Sequence, residues 1–157
     1  MKRCPSAARG LLLMLALFAT PSLAQVPSIE GTYRLVSRTF KDGTVSKPPD
    51  VMGLQTYTKG YRNFNILSKD ADGQLVSRSI IASYTLTPTE YVETILFHIQ
   101  VRGQEIRREV SRPPQRLAVT VGAGRVQFRT EQRLAVYEGN RFVATSPDSV
   151  DVWERVE

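Results

Sequence analysis

The stretch IEGTYRLV, at residues 29–36, decides how this chain folds, and it opens a longer segment that runs through residue 61. Gly31 comes two residues before Tyr33, and Tyr33 and Leu35 then fall on one face of the pattern while Arg34 falls on the other. Alternation with period two, rich in aromatic and β-branched residues, is typical of a β-strand. A sheet that closes on itself must return its last strand to its first, and we expect this segment to be that first strand.

The remainder of the chain repeats this pattern in short pieces, separated by turns that contain glycine or proline. The later strand patterns lie at residues 52–58, 61–68, 75–87, 91–101, 105–111, 117–121, 126–130, 134–137, 142–145 and 150–156. Short hairpins between many strands favour a barrel, because sandwiches usually cross between sheets. We therefore predict an all-β fold, a closed antiparallel up-and-down β-barrel of about eight to ten strands. In the longest gap, residues 41–50, we expect a loop that covers the barrel mouth.

The N-terminal residues have the layout of a secretory signal peptide. Basic residues come first, an unbroken apolar run follows at residues 11–19, and small residues lead up to Ala24. The run is shorter than the ~20 apolar residues that a membrane-spanning helix needs, and an uncleaved anchor is the alternative. We predict a signal helix and peptide at residues 1–24 and one β-barrel domain at residues 25–157. The mature protein would be periplasmic or extracellular, without a transmembrane span.

Charge and cysteine content exclude several classes of function. The formal net charge is +6, but basic residues are interleaved with acidic ones, as in RRE at residues 107–109, so no basic stripe suggests nucleic-acid binding. The one cysteine, Cys4, lies in the predicted signal peptide, and the one histidine is His98. A histidine–cysteine metal site therefore cannot be built, and we predict neither a metal nor another cofactor.

No pattern in the chain marks catalytic chemistry. His98 is interpreted as a surface or rim residue, and no Gly-x-Ser-x-Gly motif accompanies it. The acidic sequence DADG at residues 70–73 is interpreted as a hairpin turn, because a calcium-binding loop is longer and ends with a glutamate. We therefore predict that the protein is not an enzyme.

Six short segments resemble the bacterial lipocalin-like domain family of calycin-type β-barrels. They are GTYRLVS at residues 31–37, DG at 42–43, GLQTYTKGY at 53–61, ASYTLT at 82–87, YVETI at 91–95 and VWERV at 152–156. The resemblance implies a lipocalin-like barrel that binds an apolar ligand and has no catalytic residues. Calycin barrels often begin with glycine-x-tryptophan and pack an arginine of the last strand over that ring. Here Tyr33 takes the tryptophan position, and Arg155 is the implied partner.

Two charged residues fall in phase with apolar residues that are expected to point into the barrel. A charge that faces a barrel interior is costly unless it is paired. We therefore predict that Arg62 and Glu93 pair inside and orient a ligand head group. The alternative is a β-bulge or a phase slip that turns one or both outward. The predicted ligand-binding residues are Arg62, Phe64, Ile66, Glu93, Ile95, Phe97 and Phe128.

Three functions are compatible with such a barrel. The first is a non-enzymatic exported protein that binds a small hydrophobic or amphipathic molecule in the barrel lumen. The second is a structural or interaction module of the cell envelope whose barrel is filled, and which works through its exterior or through residues 41–50. The third is a cofactor-free isomerase or hydrolase that uses tyrosine, glutamate and arginine. We expect the first.

Overall fold

Twelve β-strands make up a computed structural model that describes residues 26–70, 72–130 and 132–156. The predicted signal peptide lies outside these residues. No helix occurs within them, and so none has the length and apolar character needed to cross a membrane. The strands are β1 (Gly31–Phe40), β2 (Val45–Ser46), β3 (Val51–Tyr57), β4 (Tyr61–Lys69), β5 (Leu75–Leu86), β6 (Glu90–Arg102), β7 (Glu105–Val110), β8 (Gln115–Gly122), β9 (Arg125–Arg129), β10 (Leu134–Glu138), β11 (Arg141–Thr145) and β12 (Ser149–Arg155).

Ten of these strands form a closed antiparallel barrel, which confirms the predicted fold. The strand order is β12-β11-β10-β9-β8-β6-β5-β4-β3-β1, and β1 also pairs with β12 to close the ring. β2 pairs with β1 and β7 pairs with β6, both outside the ring. Closure leaves no unpaired edge in the ring, which removes the usual site of strand-to-strand aggregation.

The first and last strands meet in register. Tyr33 lies opposite Arg155 and Leu35 lies opposite Trp153, with a β-bulge in the pairing just after Leu35. Residues directly opposite each other share a face of the sheet, so the Leu35 and Trp153 side chains both point into the barrel, where each is about 1% exposed. The chain ends therefore close the barrel, as the opening stretch of the sequence predicted.

Aromatic rings fill one half of the barrel interior. Tyr91 stacks on Phe128 and Tyr137 stacks on Phe142, with ring centroids 4.4 Å apart in each pair. Offset stacking contributes to stability beyond the area that it buries. Beside these rings, Ile29 is 1% exposed and closes this end of the barrel from the segment that precedes β1. The remaining space in the lumen lies toward the other end.

One extra residue in β6 reverses its inward and outward faces halfway along. Ile95 lies opposite Ala82, whereas Phe97 lies opposite Ile81, so Leu96 is the inserted residue of a β-bulge. Ala82 is buried and Ile81 is 44% exposed. Ile95 therefore points inward and Phe97 points outward. The prediction that Phe97 continues the inward face of Ile95 is wrong, because an alternating sequence pattern does not reveal a bulge.

The loop at residues 41–50 does not cover the lumen. It contains β2, which lies against the outer part of β1 through pairs between Arg38 and Ser46 and between Thr39 and Val45. None of its residues lines the lumen cavity. The expectation of a loop over the barrel mouth is wrong, because the two-residue strand β2 ties this segment to the wall.

Candidate ligand-binding cavity

A cavity of about 270 Å³ occupies the lumen. This volume lies just below the ~300–1,000 Å³ that is usual for sites of drug-sized ligands. Its apolar wall is built from aromatic and branched side chains, among them Phe64, Ile66, Ile80, Phe128 and Trp153. The space therefore suits a small molecule with an apolar body and excludes a long lipid chain held entirely inside.

Two neighbouring strands supply one wall of the cavity by simple alternation. In β4 the inward residues include Phe64 and Ile66, and in β5 they are Val76, Arg78 and Ile80. Phe64 lies opposite Ile80, and Ile66 lies opposite Arg78. This register places an arginine next to an apolar side chain at the same height in the lumen.

The structure brings most of the predicted binding residues together. Those that line the cavity are Arg62, Phe64, Ile66, Glu93, Ile95 and Phe128. Phe97 is not among the lining residues, since the bulge at Leu96 turns it to the outer face of β6. That the lining residues bind a ligand stays a prediction.

Arg62 and Glu93 form an ion pair inside the barrel. The Nη2 of Arg62 lies 2.9 Å from the Oε1 of Glu93, and the two side chains are 13% and 12% exposed. The Nη1 of Arg62 also donates to the Oε1 of Gln55 at 3.3 Å, and the Tyr91 hydroxyl donates to the Oε2 of Glu93 at 2.5 Å. The predicted pairing is thus confirmed, and both carboxylate oxygens of Glu93 have a partner.

Tyrosine hydroxyls extend this polar cluster into the aromatic half of the barrel. The Tyr137 hydroxyl donates to the Tyr57 hydroxyl at 2.7 Å and accepts from the Nε2 of Gln55 at 3.2 Å. Burial raises the pKa of Tyr57, of Tyr91 and of Tyr137. These phenols therefore remain protonated near neutral pH, so that Tyr91 donates to Glu93 and Tyr137 donates to Tyr57.

The opposite end of the cavity carries three more arginines. Here β1 ends, β5 begins and β9 turns into β10, and we call this region the arginine end; it comprises Arg38, Arg78, Arg133 and Asp151. Arg38 is neutralised by a bidentate pair, in which its Nε and Nη2 donate to the two Asp151 oxygens at 2.7 and 2.8 Å. Such a fork is among the stronger ion pairs in proteins.

Arg78 has fewer and longer hydrogen bonds than Arg38 and no ion pair within the described residues. Its Nε is enclosed and has no hydrogen-bond partner among the described residues. Its Nη2 reaches the Oε1 of Gln100 at only 3.5 Å. Burial lowers the pKa of Arg78, and the positive charges of Arg133 and Arg38 lower it further. Arg133, in the turn between β9 and β10, lines the same space and has no ion-pair partner within the described residues.

These arginines were not predicted from the sequence. Arg78 could have been identified as Arg62 was, because it falls in phase with the inward residues Val76 and Ile80. Arg133 lies in a turn, where alternation carries no information. Its place at the cavity depends on how β9 and β10 pair.

The single histidine lies beside the cavity and offers no metal site. His98 is opposite Ile80 in the β5–β6 pairing, and its Nδ1 lies 3.3 Å from the Oε2 of Glu109. Burial lowers its pKa, and the charges of Arg112 and Arg78 lower it further. Within residues 26–70, 72–130 and 132–156, no group of three histidine, cysteine, aspartate or glutamate side chains is arranged to hold a metal ion.

Comparisons of this chain with protein-family models, with curated proteins and with solved structures found no match. The resemblance to the bacterial lipocalin-like family therefore stays a prediction, and the function is inferred from the shape and chemistry of the cavity.

Proposed function

We propose that this protein is an exported binding protein that holds one small apolar or amphipathic molecule in its barrel lumen. The observation that carries the proposal is the partly open cavity of about 270 Å³, which is lined by the aromatic rings and by the arginine end. An apolar pocket with a few convergent polar groups is the usual form of a small-molecule site. Barrels of this size hold either packed side chains or one small ligand.

The carboxylates inside the cavity are already engaged in ion pairs and hydrogen bonds, which supports binding rather than catalysis. Glu93 is occupied by Arg62 and Tyr91, and Asp151 is occupied by Arg38. A general base needs an oxygen free to accept a substrate proton. Ion pairs of this kind are better suited to orienting a bound ligand than to removing a proton from a substrate.

The test is a titration of the purified mature protein with benzyl alcohol, a neutral molecule with one aromatic ring. Trp153 is the one tryptophan of the chain and lines the cavity, so its fluorescence reports occupancy of the lumen. We expect saturable binding at one site per chain. Native mass spectrometry of protein isolated from its own cell envelope should also show a small bound mass.

A cavity-filling variant provides the matched comparison. Ala144 lines the cavity and Ala118 is exposed on β8, so Ala144→Leu should abolish binding while Ala118→Leu should not. Overpacking costs about 1–3 kcal/mol, and the milder Ala144→Val serves if the leucine variant does not fold. If wild type and Ala144→Leu respond alike to benzyl alcohol, the lumen is not the binding site and the proposal is wrong.

A further inference from the structure

The cavity contains more positive charge than its own residues neutralise. Its lining includes four arginines and two carboxylates: Arg38, Arg62, Arg78, Arg133, Glu93 and Asp151. Both carboxylates are already engaged, each by a different arginine. Two guanidinium groups, those of Arg78 and Arg133, are therefore left facing the same space without a negative partner among the described residues.

This arrangement is unfavourable for Arg78, which is partly buried, whereas Arg133 lines the cavity but is exposed to solvent. Removing a cation from water is costly unless an opposite charge or a set of hydrogen bonds replaces the water. Arg78 has an enclosed Nε without a partner in the described part of the chain and one long contact to Gln100. An anion placed between Arg78 and Arg133 would satisfy these donors. The direction of the Arg78 pKa shift, which is downward, agrees with this deficit of negative charge.

Resting on the proposed lumen binding, we propose that the ligand is a small acid whose carboxylate or phosphate group is held by Arg78 and Arg133, while its apolar body packs against Phe128 and Trp153. A guanidinium presents parallel N–H groups that match the oxygens of either anion. Arg38 is not one of the proposed head-group ligands, because its Nε and Nη2 already donate to Asp151.

The size of the cavity limits the acid to a compact molecule. About 270 Å³ must contain both the head group and the body, and the apolar wall on the side of Trp153 is largely aromatic. Trp153 packs against Phe64 and Phe142, with ring centroids 5.9 and 6.0 Å away. A single aromatic ring or a short branched chain that bears one acidic group meets these limits.

The experiment compares three probes of similar body and different head group, namely benzoate, phenyl phosphate and benzyl alcohol. Each is titrated into the wild-type mature protein with Trp153 fluorescence and calorimetry as readouts. We expect at least one of the two anions to bind about tenfold or more tightly than the alcohol, which corresponds to about 1.4 kcal/mol. The tighter anion identifies whether the site suits a planar carboxylate or a tetrahedral phosphate.

Two variants then test whether the arginine end causes the preference for an anion over the alcohol. Arg78→Gln should lower the affinity for the preferred anion, relative to the affinity for benzyl alcohol, about tenfold. Arg129→Gln removes one positive charge from the exposed outer face of β9 and should change neither. If Arg78→Gln does not fold, Arg133→Gln in the turn after β9 takes its place.

The outcomes separate this inference from the function on which it rests. If wild type binds benzyl alcohol but prefers neither anion, the small-acid inference is overturned and lumen binding stands. The same holds if Arg78→Gln weakens anion and alcohol equally, because the arginine is then only structural. If none of the three probes binds, both proposals are overturned together.

Discussion

The Arg155 guanidinium lies 5.3 Å from the centre of the Tyr33 ring, and its Nη2 donates a 2.8 Å hydrogen bond to the Tyr33 hydroxyl. That hydroxyl in turn donates to the backbone oxygen of Ile29 at 3.1 Å. One arginine of the last strand thus holds the first strand and the segment that closes the barrel end. The packing of Arg155 over Tyr33, which the resemblance implied, is confirmed.

Replacing Arg155 with methionine should lower the free energy of unfolding by about 1–2 kcal/mol, since it removes a cation–π contact and a charged hydrogen bond. Urea denaturation followed by Trp153 fluorescence measures this loss. Arg129→Met, on the exposed face of β9, should have almost no effect. A double-mutant cycle with Tyr33→Phe should give a coupling energy clearly above zero, and simple additivity would contradict the contact.

Gly53 leaves room for the tryptophan of the last strand. A Cβ at this position would lie 2.6 Å from the Cη2 of Trp153 and 3.1 Å from the backbone oxygen of Asn65. Gly53→Ala should therefore destabilise the barrel by about 1–3 kcal/mol through overpacking and shift the Trp153 emission. Gly122→Ala, where a Cβ meets nothing within 4 Å, should be neutral or slightly stabilising. Equal melting temperatures for the two variants would refute this prediction.

The Arg62–Glu93 pair can be tested by removing one charge and then both. Glu93→Leu leaves Arg62 inside the barrel without its carboxylate, and we expect a loss of about 3 kcal/mol in unfolding free energy. The double variant Arg62→Met with Glu93→Leu should recover most of that loss, because no unpaired charge remains. Chemical denaturation at pH 7 supplies the three values. A double variant less stable than Glu93→Leu alone would show that the pair contributes more than mutual neutralisation.

Stability should fall as the pH rises above 10. Burial raises the pKa of Tyr84 to about 12, and also raises the pKa of Tyr57 and of Tyr137. In the unfolded chain a tyrosine loses its proton near pH ~10, so between about 10 and 12 the native state binds more protons than the unfolded state. Unfolding free energy then decreases with pH by about 1.4 kcal/mol per unit for each such group.

Denaturation midpoints measured from pH 8 to pH 12 check this slope. Tyr84→Phe removes one of the titrating groups, together with the hydrogen bond that Tyr84 donates to the Thr58 oxygen. The variant should therefore start less stable at pH 8 and lose stability less steeply above pH 10. A wild-type midpoint that stays constant up to pH 11.5 would mean that the buried phenols do not control alkaline stability.

Alternation predicted the site where the strands are regular. Arg62, Phe64 and Ile66 belong to β4, which pairs with both neighbours without a register shift. Each inward residue could therefore be read from the spacing. The same rule would have identified Arg78 in β5, whose own alternation is unbroken and which pairs with β6 before the register shift at Leu96.

The rule failed where structure depends on partners far along the chain. β6 pairs with β8 over Glu90 to Glu93 and with β7 from Phe97 onward. The strand must bend between these partners, and the bulge at Leu96 supplies the bend. Nothing in the local pattern of alternating apolar residues marks that change. Arg133 was missed for a different reason, because it lies in the short turn between β9 and β10, where alternation does not show which way a side chain faces.

The bulge at Leu96 has a consequence for any chain that differs from this one in length. Deleting Leu96 would join Ile95 directly to Phe97, and the shortened β6 would alternate strictly while keeping Phe97 outward and His98 inward, as they are now. A chain one residue shorter at this point would therefore show the facing of every residue of this strand in its sequence, because the period of two would run through it unbroken.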